Sequence, residues 1–127
     1  MSKRFTLAVA IGLALTFAAP ALAAGDDGFA AFWKLFSAAA ASDDVASLQT
    51  MVALGSISDS SSRPMTFTQV HAAYLKAPAR RCLGKAHPVA GVDGYGAVTY
   101  SAFCGQLIYV FTRTGGAWKL TDLSPDD

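Results

Sequence analysis

The residues able to do acid–base, nucleophilic or metal chemistry are few in this chain. Its 127 residues include no glutamate, nine aspartates, two histidines (His71 and His87) and two cysteines (Cys82 and Cys104). A carboxylate general base must therefore be an aspartate. The alternation of the final strands selects Asp122, placed opposite Tyr109 on the side expected to face inwards. With His71 these form an acid/base constellation, provided burial raises the aspartate's pKa toward neutrality. The competing reading is structural: Asp122 solvated at the sheet rim, with Tyr109 packing by its ring and bonding through its hydroxyl.

Other chemistry is thinly represented. His71 and His87 lack the i,i+3 or i,i+4 spacing of paired zinc ligands, which leaves His71 as a partly buried helix residue and His87 as a loop residue before Pro88. Cys82 and Cys104 have neither a CxxC spacing nor a histidine cluster, so a disulfide is the default reading over a reactive thiol or a metal pair. Arg113 beside Trp118 makes either a cation–π rim to a pocket or ordinary cross-strand packing. Arg80, Arg81 and Lys85 are too few to argue for nucleic acid, and no phosphate loop, serine elbow or nucleotide fingerprint is present. No cofactor or metal is implied.

The elements that must position these residues centre on Gly96 to Leu123. Three runs of β-branched and aromatic residues are punctuated by glycine, which reads as an antiparallel meander. Gly115-Gly116 lies between Leu107–Thr114 and Ala117–Leu123 as a two-residue hairpin turn. That turn sets Arg113/Trp118, Phe111/Leu120 and Tyr109/Asp122 on one face, and Thr112/Lys119, Val110/Thr121 and Ile108/Leu123 on the other. A two-residue turn at Gly105-Gln106 would add Val98, Tyr100, Ala102 and Cys104 to the first face. A three-residue turn would add Thr99, Ser101 and Phe103 instead; the first register is preferred because it buries the cysteine and the larger aliphatics.

Three helices are expected ahead of the sheet. Phe29, Phe32, Trp33, Phe36 and Ala40 form one apolar stripe after Asp27, a plausible N-cap. Such a stripe is either the core face of the helix or the wall of a ligand pocket. Val45, Leu48 and Val52 follow a cap at Ser42 or Asp43, with Gly55 as the stop, and Ser56 to Pro64 is a loop. Thr66 and Gln69 form a capping box, flanked by Met65 and Val70 as a staple, for a third helix running to about Lys76 and stopping before Pro78. Arg80 to Leu83 is expected as a short first strand, and residues 79–94 are otherwise unplaced.

The N-terminus carries a second kind of signal. Lys3-Arg4, the uncharged run Phe5 to Phe17 and the small residues Ala21-Leu22-Ala23 are the three parts of a cleavable secretory leader. Removing 1–23 leaves 104 residues, one domain (24–127), with eight basic residues against nine aspartates. A formal charge of −1 points to no nucleic acid and to no membrane after cleavage. Export to a bacterial periplasm or beyond also suits the disulfide.

The fold class is thus α+β, three N-terminal helices packed on a curved antiparallel sheet of three or four strands. Phe29-x-x-Phe32-Trp33-x-x-Phe36, Ser42-x-Asp44 and the closing Tyr109-x-Phe111 with Gly115-Gly116-x-Trp118-Lys119-Leu120 resemble the nuclear transport factor 2-like superfamily, which includes polyketide-cyclase-like and ketosteroid-isomerase-like proteins. The resemblance implies a cone-shaped domain whose pocket would be lined by Phe32, Trp33, Phe36, Tyr74, Tyr109, Phe111 and Trp118. It also implies frequent dimerisation through the outer sheet face, where Ile108, Val110 and Leu123 would make either a modest homodimer patch or an ordinary solvated sheet with a few exposed aliphatics. Its motifs carry fold rather than chemistry. The reading taken forward is an exported, non-enzymatic module that holds a small apolar ligand or a protein partner. The alternatives are an isomerase or cyclase using Asp122, Tyr109 and His71, and an envelope protein that inhibits another protein.

Overall fold

Gly115 and Gly116 adopt φ of 60° and 84°, the left-handed backbone that a two-residue turn between twisting strands requires. The computed structural model describes residues 27–125, and the expected leader 1–23 lies outside them. Among the described residues the strands are β1 (Val89–Val92), β2 (Val98–Cys104), β3 (Leu107–Thr114) and β4 (Ala117–Pro125). They form one antiparallel meander in the order β1-β2-β3-β4. Cys104 pairs with Leu107 across Gly105-Gln106, so the preferred two-residue turn is the one observed. Ala102, Cys104, Tyr109, Phe111, Trp118 and Leu120 are all buried on the inner face. Val98 is exposed despite its expected inward position.

The hairpin register holds for Arg113/Trp118, Thr112/Lys119 and Phe111/Leu120 and then shifts between Val110 and Phe111. Beyond that bulge Tyr109 pairs with Leu123, Val110 with Asp122 and Ile108 with Ser124. The expected pairs Tyr109/Asp122, Val110/Thr121 and Ile108/Leu123 are thereby corrected. One extra residue on β4 is enough to move Asp122 to the outer face. The Thr112 hydroxyl donates to Thr121 Oγ1 at 2.9 Å, and Thr121 lies within 3.3 Å of the Val110 carbonyl, so the bulged residue is held on that outer side.

Four helices precede the sheet among the described residues: α1 (Phe29–Ser42), α2 (Val45–Thr50), α3 (Phe67–Tyr74) and α4 (Ala77–Leu83). The cap of α1 is Gly28 rather than Asp27, though the Asp27 carboxylate still accepts the Phe29 N–H at 3.0 Å. Asp44, not Ser42 or Asp43, caps α2 by accepting from Ser47 N. That helix ends before Val52 because residues 51–53 turn to bridge the edge of β4. Leu120 N donates to Met51 O at 2.8 Å, and Ala53 N donates to Leu120 O at 2.9 Å. The Thr66/Gln69 capping box of α3 is present in both directions. Its helix closes at Tyr74, and Pro78 opens α4 from the first turn, where a missing N–H costs nothing. The expected strand at Arg80–Leu83 is therefore a helix.

The stripe of α1 packs on β3. Phe111 is fully buried and meets Phe29, Phe32, Trp33 and Phe36 edge-on, with ring centroids 5.0–6.0 Å apart. Such T-shaped pairs add about 0.5–1.5 kcal/mol each beyond area burial. At the far end of the sheet Cys82 of α4 is disulfide-bonded to Cys104 of β2. Closing that 22-residue separation constrains the unfolded chain, so Cys82→Ala/Cys104→Ala should lower unfolding stability by roughly 3 kcal/mol in urea. A loss well under 1 kcal/mol in the same measurement would contradict this account of the bridge.

Candidate functional site

The three residues proposed as an acid/base set do not meet. Asp122 is exposed on the outer face and accepts from its neighbour's backbone, Leu123 N, at 2.8 Å. Tyr109 is fully buried on the inner face, and its hydroxyl donates to the Tyr74 carbonyl at 2.5 Å. That contact satisfies one of the terminal carbonyls of α3. Burial pushes the Tyr109 phenol up to about 12, which leaves it a hydrogen-bond donor and not a proton carrier at neutral pH.

His71 is bound elsewhere. Its Nε2 lies 2.7 Å from Asp43 Oδ1, and Arg80 Nη1 donates to Asp43 Oδ2 at 2.9 Å. Asp43 sits just past the end of α1 with φ of 55°, a conformation aspartate tolerates better than most residues. Its single carboxylate thus ties the end of α1 to α3 and α4. Among the described residues the hydrogen-bond partner of the His71 ring is Asp43, and the group joins three helices. His87 is an exposed loop residue. Among the described residues no group of three His, Cys or Asp side chains could hold a metal ion. No helix among them is long and apolar enough to cross a membrane.

A second junction fixes the start of α1. The Asp27 carbonyl accepts from Trp118 Nε1 at 2.8 Å and from Arg113 Nη2, whose guanidinium carbon also lies 5.1 Å from the Trp118 ring centroid. Asp27 Oδ2 accepts from the Tyr100 hydroxyl at 2.6 Å. That hydroxyl holds the Asp27 carboxyl below its usual range, helped by the Phe29 N–H and Arg113 and opposed by burial. In return the carboxylate raises the Tyr100 phenol. The cation–π pair therefore serves packing around one anchored residue.

With these polar groups engaged, a mostly apolar cleft of about 260 Å³ lies between α3, α4 and the β2–β3 turn, smaller than two other surface clefts of about 400 and 440 Å³. Tyr74 ends α3 on one side of it; Pro78 and Ala79 begin α4 on the other. Leu107, Tyr109 and the Cys82–Cys104 bridge complete the apolar wall, and Lys76 and Gln106, both exposed, supply polar groups. The size lies near the lower end for ligand pockets, roughly 300–1,000 Å³.

Of the seven side chains expected around one pocket, Tyr74 and Tyr109 line this cleft. Phe36 and Phe111 are fully buried, and Phe32 and Trp33 pack against them. Trp118 is buried beneath Arg113 and borders a separate surface groove with Asp27. The aromatic interior is filled by its own rings. Sequence reasoning missed Lys76, Pro78, Ala79, Gln106 and Leu107. The signal was present in Pro78 and the cysteine pair, since a bridge from Cys82 to Cys104 must lay the segment after Pro78 against the Gly105-Gln106 turn.

Compared with known proteins, the sequence matches no family model, no curated protein and no solved structure.

The Asp27 anchor makes a pH prediction. Its carboxyl is held lower when folded than the roughly 3.9 of a free aspartate, so its stabilisation is complete above that value. It is lost as pH falls through the lowered folded value. Asp44, also lowered by its Ser47 contacts, contributes in the same window. Asp27→Asn should therefore be less stable than the parent at pH 6 and lose stability less steeply between pH 4 and 2, measured by urea unfolding at each pH. Parallel curves for the two proteins would contradict the assignment.

Proposed function

We propose that this chain is an exported binding module without catalytic chemistry of its own, and that it holds a small apolar ligand in the cleft beside the disulfide. The observation that carries this is the contrast between two sets of side chains. The groups able to move protons are exposed or committed to structural hydrogen bonds: Asp122 to the Leu123 N–H, Tyr109 to Tyr74, His71 to Asp43. The cleft wall, by comparison, is built from Tyr74, Pro78, Ala79 and Leu107 around a covalent bridge. Rigid apolar walls with few polar groups are what binding sites for small molecules present.

The leader at 1–23 and the placement in a bacterial periplasm or secreted fraction belong to the same proposal. The disulfide supports them, because such bridges persist in oxidising compartments. Membership of the nuclear transport factor 2-like superfamily, with its cone-shaped domain, is likewise proposed from the aromatic stripe and the closing hairpin. The helix-then-meander order is compatible with it.

A second reading is favoured by the outer sheet face. Phe103 and Val89 remain 50% and 57% exposed there, beside half-buried Ile108 and Val110. A protein partner or a second copy of the chain would cover them. Sedimentation over a range of concentrations separates the self-association form, which a purely monomeric species would remove.

For the cleft, 1-octanol is a suitable neutral probe in amide NMR titrations. It should shift the Ala79, Gly105 and Leu107 resonances saturably, and Ala73→Trp, at an exposed position of the same wall, should abolish those shifts while leaving the fold intact. Non-saturating shifts spread over the surface, unchanged in that variant, would overturn the proposal.

A further inference from the structure

We infer that the cleft selects small organic anions, monocarboxylates with one ring or a short alkyl chain as the apolar part. This rests on the reading of the cleft as a ligand site and adds the charge of the ligand. The argument begins from Lys76. It lies on the link between α3 and α4, in the cleft wall and exposed to solvent. Its backbone carbonyl accepts from Arg80 N at 2.8 Å, while its ammonium makes no hydrogen bond or ion pair with the other described residues.

The aspartates among the described residues are all committed to partners elsewhere. Asp27 holds Tyr100, Asp43 holds His71 and Arg80, and Asp44 holds Ser47. Asp59 pairs with Arg63, Asp93 accepts from Tyr95 N and Ala97 N, and Asp122 takes Leu123 N. None lines the cleft, and the chain has no glutamate. Among the described residues the ammonium therefore meets an apolar cleft wall that carries no counter-charge. Arg81 and Lys85, exposed on and just after α4, add further positive charge near that helix.

The rest of the wall fixes how such a ligand would lie. Tyr109 gives its hydroxyl to the Tyr74 carbonyl, so its ring and the disulfide offer an apolar surface. Gln106, exposed in the turn, can donate its amide N–H to a second carboxylate oxygen. An amphiphile would therefore enter tail first, with its carboxylate left between Lys76 and Gln106. About 260 Å³ admits a free molecule of this size and not a folded peptide.

The experiment compares octanoate, 1-octanol and octylammonium by amide NMR titration of the disulfide-bonded full-length mature chain. Octanoate should bind more tightly than 1-octanol, and octylammonium most weakly. Lys76→Met, which keeps an apolar stem and removes the charge, should weaken octanoate by about 1.4-fold to fivefold, the range of an exposed ion pair, and leave 1-octanol unchanged. Raised salt should narrow the octanoate advantage in the parent only. Equal binding of all three probes, or an octanoate affinity untouched by Lys76→Met, overturns the anion inference while sparing the cleft as an apolar site. If no probe shifts the cleft residues saturably, both readings fall.

Discussion

Phe111 meeting the aromatic stripe of α1 is the contact on which the rest of the structure depends. One ring on the central part of β3 receives Phe29, Phe32, Trp33 and Phe36 edge-on. Leu120 backs it from β4, and Tyr100 from β2 faces Phe29 in a stack with centroids 3.7 Å apart. Helix and sheet could slide past one another if the seam were made only of alanine and leucine. Interlocked rings remove that freedom, because each T-shaped contact has a preferred geometry as well as an area. The two polar junctions then fix the ends of α1. Asp27 holds its start to β2, β3 and β4, and Asp43 holds its finish to α3 and α4.

This constraint also decides where function can reside. A sheet wrapped around helices offers a pocket only where the interior is left unfilled, and here the rings occupy the space between α1 and the sheet. A cleft lies at the other end, where short α3 and α4 meet the β2–β3 turn. The disulfide ties α4 to β2 in the wall of that cleft. The ring seam and the cleft are thus formed at different ends of the sheet by different residues. The same division explains why the polar groups of the core are poor candidates for catalysis: each is already the partner of a helix end or a strand.

Much of the architecture was legible in the sequence because it is encoded by local rules. The Gly115-Gly116 turn, the Gly105-Gln106 turn, the Thr66/Gln69 box and the Phe29-to-Phe36 stripe each state their structure within a few residues. The failures have physical causes of their own. A bulge at Thr121 is not written in the alternation of β4, and it alone transfers Asp122 from one face to the other. Pro78 was read as the end of a helix and is the beginning of one, a distinction that depends on whether the residues after it find a surface to pack on. Leu83 finds one, being fully buried. The site suffered most from this, since α4 supplies Pro78, Ala79 and Cys82 to the cleft. The interior pocket was expected because an aromatic stripe looks the same in sequence whether it surrounds a space or fills it.

The direct test of the ring seam compares two phenylalanines of the same sheet in urea unfolding. Phe111→Ala empties a fully buried site and is predicted to cost about 3–5 kcal/mol. Phe103→Ala, on the uncovered face, should cost about 1 kcal/mol or less. Equal losses for the two, or a loss under about 1 kcal/mol for Phe111→Ala, would contradict the claim that the helix and sheet are joined through this ring.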